Sequence, residues 1–244
     1  MAPYQVTIAY DGTDFFGYQR QKNQRTVQGE LEKTLKTLGW MGRTITSSGR
    51  TDTGVHAEGQ VISFDLDWNH SDAELRNAVN SFLPVDISVC EVKIAASDFH
   101  PRFSAKARQY RYQIVFMPDR HPILDRFYWR VWPKPNVNLL RAGAEKLIGK
   151  HDFSSLGRPP KKDGSTIRTI SSCEWQLVEE GKAHLSIRAE SFLYHMVRRT
   201  AFLLVQIGQG RINAIDLEES LIGKKELPTG IAPACGLFLE KVIF

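Results

Sequence analysis

Ser47-Ser48-Gly49-Arg50-Thr51-Asp52-Thr53-Gly54-Val55-His56-Ala57 sets one carboxylate, one guanidinium, one imidazole and two glycines in a single short run. Strand-like sequence flanks it, Thr44 to Ser48 before and Gln60 to Asp65 after, so the run reads as a turn between strands. Gly49 and Gly54 permit tight or left-handed backbone, which would thrust the intervening side chains into a cleft. Asp52 is then a candidate nucleophile or general base, and Arg50 a candidate contact to an anion or a base. The pattern also describes an ordinary hairpin whose Asp bonds its own backbone, and on spacing alone that is the plainer reading.

Working outward, Tyr4 to Tyr10 reads as a first strand closed by the turn signal Asp11-Gly12. A polar loop from Thr13 to Arg25 follows, with aromatics that read as exposed. Thr26 then caps a helix whose Val27, Leu31, Leu35 and Leu38 recur at helical spacing, and Gly39 suits its end. Beyond the central turn, Ser71-Asp72-Ala73-Glu74 is a capping-box pattern opening a helix to about Phe82, punctuated by Pro84. Ile87 to Ile94 alternates as a strand. The layout so far is strand–helix–strand–strand–helix–strand, a mixed α+β arrangement.

In the second half, Ala107 to Phe116 is a strand with Tyr110, Tyr112, Ile114 and Phe116 on one face. Met117 to Asn138 reads as an irregular connection, and Asn138 as the cap of a helix through Leu147 with Gly149 at its end. Arg158 to Gly164 holds Pro-Pro, Lys-Lys and Gly and reads as a mobile basic loop. Strands are expected at about Ile167–Leu177 and Ala183–Ala189, helices from about Leu193 to Ile207 and Ala214 to Leu221, and a last strand near Gly236–Val242. The halves match in element type without a residue-level repeat. The boundary falls between about Asp98 and Ala107, giving domains of residues 1–104 and 105–244.

The bulk properties bound the rest. A chain of 244 residues can bury a substantial core, and its formal charge of +5 mildly favours an anionic partner. Cys90, Cys173 and Cys235 are scattered and odd in number, which argues against a disulfide framework or zinc ribbon and fits a reducing cytoplasm. No stretch has the length of a membrane span, so no membrane association is expected. The chain shows no P-loop, no dinucleotide glycine fingerprint and no His/Cys ligand cluster. Arg102, Lys106, Arg108 and Arg111 form one basic stretch and Arg158, Lys161, Lys162 and Arg168 a second, a pattern that suits phosphate. A non-catalytic RNA-binding module would share this charge and these aromatics.

The Gly49–Ala57 run closely resembles the signature of the TruA family of tRNA pseudouridine synthases, and the likeness spans nearly the whole chain. Tyr10-Asp11-Gly12-Thr13 with Phe15 to Gln21 resembles the family's opening strand and loop, and Thr26-Val27-Gln28-Gly29 with Leu31-Glu32 its first helix. Phe99-His100-Pro101-Arg102-Phe103-Ser104-Ala105 and Tyr110-Arg111-Tyr112 resemble its linker and central strand. Gly149 to Phe153, Phe192-Leu193-Tyr194-His195-Met196-Val197-Arg198, and Ala232-Pro233-Ala234 with Gly236-Leu237 follow in the family's order. Two positions depart from the pattern: Thr53 stands where Ala is usual and Tyr18 where Trp is usual. The first is expected to alter packing beneath the turn, the second an aromatic contact, to RNA for instance.

The resemblance implies the pseudouridine synthase fold, α+β, with two similar mixed domains, joined largely antiparallel sheets and a central basic active-site cleft. It implies an isomerase acting on uridines 38, 39 and 40 in the anticodon stem-loop of tRNA, working as a homodimer without metal or cofactor. Asp52 would be the catalytic carboxylate. Arg198 would pair with it, keeping it ionised. Tyr110 would stack on the target base, and Arg50 would help extrude it. His56 is expected to be structural or to touch RNA. His195, one helical turn before Arg198, would orient it or touch phosphate. Arg102, Lys106 and Arg108 would meet the RNA backbone.

Overall fold

The computed structural model describes every residue of the chain except Lys162. In chain order its strands are β1 (Ala2–Tyr10), β2 (Thr46–Ser47), β3 (His56–Leu66), β4 (Ile87–Ile94), β5 (Ala107–Phe116), β6 (Trp129–Val131), β7 (Gly149–Asp152), β8 (Ile167–Glu179), β9 (Lys182–Ala189) and β10 (Leu237–Ile243). The α-helices are α1 (Val27–Thr37), α2 (Asp72–Phe82), α3 (Val137–Glu145), α4 (Met196–Gly208) and α5 (Ala214–Leu221). Packing divides the chain into two units, Met1–Lys106 with Phe238–Phe244, and Ala107–Leu237. Both are mixed α/β, with mostly antiparallel strand pairs.

In the first unit β1 is central, antiparallel to β3 on one side and to β4 on the other. The short β2 pairs antiparallel with β3. β10 pairs in parallel with the start of β3, through Phe238 opposite His56 and Leu239 opposite Ala57. Alternation decides the faces. Tyr4, Val6, Ile8 and Tyr10 of β1 are all buried. Val6, Ile62, Phe64 and Val89 of the sheet converge on Leu31 and Leu35 of α1 and Leu75 and Val79 of α2, the apolar stripe of each helix.

The helix ends follow the sequence. Thr26 accepts the Gly29 amide, and Gly39 takes a left-handed φ of +87° just past α1. At α2, Ser71 and Glu74 form the expected reciprocal capping box.

In the second unit β5 is antiparallel to β9, β9 to β8 and β8 to β7, and β6 runs parallel to β5. Tyr112, Ile114, Trp175, Leu185 and Ile187 of the sheet are buried, as are Leu140 of α3 and Leu203, Leu204 and Ile207 of α4. No helix among the described residues is long and apolar enough to cross a membrane.

Several expectations give way. The Met117–Asn138 connection contains a 3-10 turn at Leu124–Arg126 and strand β6. α3 is capped by Asn136 and not Asn138, because the Asn136 side chain accepts the amides of Asn138 and Leu139. Gly149 opens β7 instead of ending a helix. α4 begins at Met196, since His195 before it is left-handed with φ +66°. The expected loop from Arg158 is tied at its start, where Arg158 and Tyr194 exchange backbone hydrogen bonds. By packing, the second unit starts at Ala107 and the C-terminal strand joins the first unit. The cause is the pairing of β10 with β3, a partner remote in sequence that alternation within β10 does not name.

Ser71→Ala removes one half of the capping box and is expected to cost about 1 kcal/mol of stability. Urea denaturation reads this directly; an unchanged midpoint would mean that tertiary packing alone starts α2.

Candidate active site

The Asp52 run lies between β2 and β3 in the first unit and is held from two sides. Inside it, the Val55 amide donates to the Asp52 carbonyl at 3.1 Å, and Gly54 takes φ +76°, the left-handed residue that closes this tight turn. Gly49 has an ordinary φ, and a Cβ there would meet nothing within 4 Å, so its expected conformational role does not hold. Behind the turn, buried Gln60 accepts from the Ser48 hydroxyl at 2.6 Å and donates to the Gly49 carbonyl at 3.0 Å. The Tyr10 and Thr51 hydroxyls are hydrogen-bonded at 2.8 Å.

From the other side the opening loop presses its backbone directly on the turn. A Cβ on Gly12 would lie 2.0 Å from the Val55 carbonyl oxygen. Gly17, at φ +82°, would place one 2.8 Å from the Thr51 oxygen. The contact is also bonded: the Tyr18 amide donates to the Thr51 carbonyl at 3.0 Å and the Gly54 amide to the Phe15 carbonyl at 3.4 Å. Phe15 and Tyr18 are buried, and only Phe16 of the loop aromatics is exposed. Tyr18 is therefore a packing residue and not a surface platform for RNA, and burial pushes its phenol well up from the usual range. Thr53 is exposed, so it does not pack beneath the turn.

What the turn presents follows from this clamp. Asp52 is half-buried and Arg50 is exposed. His56 is 1% exposed, stacked on Phe238 with ring centroids 4.6 Å apart, which makes it structural and not an RNA contact. Its Nδ1 accepts the Gly12 amide at 3.0 Å. Asp11 Oδ1 lies 3.1 Å from the same nitrogen and accepts from the amide and hydroxyl of Thr13. Arg102 and Lys106, also in this unit, are exposed.

The second unit carries the other candidates. Tyr112 is core, its hydroxyl donating to the Pro233 carbonyl at 2.8 Å, whereas Tyr110 on the same strand is only half-buried. The Tyr110 ring meets Phe192 edge to face, centroids 5.1 Å apart at 88°. Arg198 lies in the first turn of α4, and its Nε donates to the Ala232 carbonyl at 2.8 Å, which fixes the plane of the guanidinium. The Ala232 amide returns a bond to the Arg198 carbonyl at 3.2 Å. His195 stacks on Tyr194 at 3.7 Å. Arg108 donates to the Glu190 carbonyl at 2.7 Å.

Of the second basic stretch, Arg158 and Lys161 are exposed, and Arg168 is half-buried, bonded to the carbonyls of Ser165 and Ile167. Lys162 falls outside the described residues. Among the described residues no group of three or more His, Cys, Asp or Glu side chains is placed to hold a metal ion.

Sequence reasoning singled out the turn but not its supports. Gln60 reads as an ordinary strand residue, and Gln28 and Glu32 as the polar flank of α1. Their one visible signal is a spacing of four that puts both on one helix face beside the apolar stripe.

A half-buried carboxylate presented on a core-anchored turn is suited to chemistry on a bound substrate. The family model described as "tRNA pseudouridine synthase" matches residues 6–104 and 144–244, which include Asp52, His195 and Arg198 but not Tyr110. A "tRNA pseudouridine synthase A" from Fervidobacterium nodosum is 39% identical over 241 residues, covering 98% of each chain. One from Bacillus licheniformis is 40% identical over 243 residues, covering 98% of this chain and 97% of its own. One from Listeria welshimeri is 38% identical over 246 residues, covering 99% of each. The chain belongs to the TruA family of tRNA pseudouridine synthases, and its activity is that of an isomerase.

Gly17→Ala is expected to force the loop off the turn, costing roughly 1–3 kcal/mol in stability through backbone strain. Turnover should fall in the protein that remains folded. Thermal unfolding beside a turnover assay checks both; native values for the two would show that the turn does not depend on the clamp.

Proposed function

We propose that the enzyme converts uridines 38, 39 and 40 of the tRNA anticodon stem-loop to pseudouridine, with Asp52 as the catalytic carboxylate. The observation that carries this reading is the Asp52 turn itself: Asp52 is half-buried between exposed Arg50 and exposed Thr53, on backbone clamped from both sides. In the isomerisation the bond from C1′ to N1 breaks, the uracil turns, and a bond from C1′ to C5 forms. The C5 proton leaves and N1 gains one, so atoms balance without a redox partner. Positive character develops at C1′ as the first bond opens, and a fixed carboxylate stabilises it.

Arg198 is proposed as the cation that pairs with the Asp52 carboxylate, and its fixed plane suits it to that partner. Tyr110 is proposed as the platform for the everted base, at roughly 1–3 kcal/mol per stacked base, and Arg50 as the side chain that helps extrude it. Arg102, Lys106, Arg108 and His195 would meet the tRNA backbone in a basic active-site cleft. The reading includes two similar domains, a homodimer that one tRNA spans, and residence in the cytoplasm. The support for these is the family resemblance.

tRNA carrying tritium at uridine C5 tests the reaction. The native protein should release the label; Asp52→Asn should release none while binding tRNA with nearly native affinity. Turnover by Asp52→Asn would remove Asp52 from its role, and modification retained at 38–40 in cells lacking the protein would remove the site assignment. Because phosphate contacts release counterions, the logarithm of the affinity for tRNA should fall linearly with the logarithm of salt concentration. A flat dependence would leave the basic stretches without a part in binding.

A further inference from the structure

Glu32 is the buried carboxylate of α1, its side chain 3% exposed. Its Oε1 accepts the Gln28 side-chain amide at 2.8 Å and the Ile45 backbone amide at 3.1 Å. Its Oε2 is ion-paired with Arg20. Gln28, one helical turn earlier, is equally committed. Its amide nitrogen also donates to the Thr44 hydroxyl at 2.8 Å, and its oxygen accepts the Arg20 backbone amide at 3.1 Å. The Gln28 backbone amide donates to the Tyr18 carbonyl at 2.9 Å.

Two side chains of one helix thus grip two segments at once. One is the end of the opening loop, Tyr18 to Arg20, whose Tyr18 amide holds the Thr51 carbonyl. The other is Thr44-Ile45, which leads through β2 into the Asp52 run. These segments are the two approaches to the catalytic turn, and Glu32 with Gln28 sets the spacing between them.

Stability alone does not account for the arrangement. Burying a carboxylate carries a large desolvation cost, and apolar side chains of similar volume commonly replace buried ion pairs at no loss. Arg20 is half exposed, which weakens the pairing further in water. What a charged, multiply bonded hub supplies and an apolar contact does not is direction and register.

We propose that Glu32, seconded by Gln28, is a positioning residue for catalysis: it acts through Arg20 and Ile45 to hold the turn at the angle that aims Asp52. This rests on Asp52 being the catalytic carboxylate. Glu32→Gln keeps the shape but turns an acceptor toward Arg20 into a donor or loses the ion pair. Gln28→Met removes the second grip and leaves Glu32 in place.

Both variants should be assayed by tritium release on tRNA, well below their unfolding temperatures, beside the native protein and Asp52→Asn. The expected result is a fall in kcat of about tenfold or more with KM within about twofold, because a small misplacement of a reacting group slows chemistry without weakening substrate binding. Native kcat with only a lowered unfolding temperature would make the network structural and overturn the proposal. A loss carried mainly by KM would assign Arg20 to RNA binding and overturn it as well. If neither variant folds, the hub serves folding and the proposal fails. An inactive native protein or an active Asp52→Asn would instead overturn the function proposed for the site, so the two failures are distinguishable.

Discussion

The close approach of two backbones governs the first unit. Around Gly12 and Gly17 the opening loop comes nearer to residues 51–55 than any side chain would allow, and the amides between them exchange hydrogen bonds. Buried amides and carbonyls must find partners, so this contact has little room to slide. Its two ends are anchored: Tyr10 ends β1 in the core, and Val27 begins α1 with its side chain fully buried. A loop residue normally inherits the mobility of loops. Asp52 instead inherits the stiffness of β1 and α1.

The distribution of buried polarity points the same way. Of the buried polar or charged residues, Thr26, Gln28, Glu32 and Thr34 lie at α1, and Ser48, Thr51, His56 and Gln60 lie in or beside the Asp52 run. Among the described residues the second unit contributes Gln109, Thr200 and Ser220 to that set. Each such group must be bonded to avoid a desolvation cost, which makes a cluster of them a specification of geometry more than a source of stability. Beneath β5, β8 and β9 the interior is mostly apolar.

How much of this was readable depended on whether the cause was local. α1 and α2 were legible because a cap, a stripe and a stop each sit within one helix. Ala214–Leu221 is legible to the residue as well. Asp52 was found by resemblance and not by spacing, since a hairpin explains the same letters. Tyr18 was misread because a tyrosine in a polar loop looks like surface, and only the fold shows it turned inward beside Tyr10. Gly49 was misread because a glycine's reason is invisible until its φ and its neighbours are known. β7, four residues long, and the parallel return of β10 depend on partners distant in sequence.

The start of α4 breaks the local rules of a helix N-terminus in three ways. His195 occupies the cap position in a left-handed conformation and makes no side-chain cap, a strain of about 1–2 kcal/mol for a residue with a Cβ. The first turn holds no acid. Instead Arg198 and Arg199 set two positive charges against the positive end of the helix dipole, which favours anions. Both guanidiniums are drawn to the carbonyls of the 230–232 segment, Arg198 to Ala232 and Arg199 to Gly230. Partial burial lowers the Arg199 pKa, which marks the electrostatic cost of holding it there. Elements that contradict local preference while the rest of the chain obeys it tend to be functional ones.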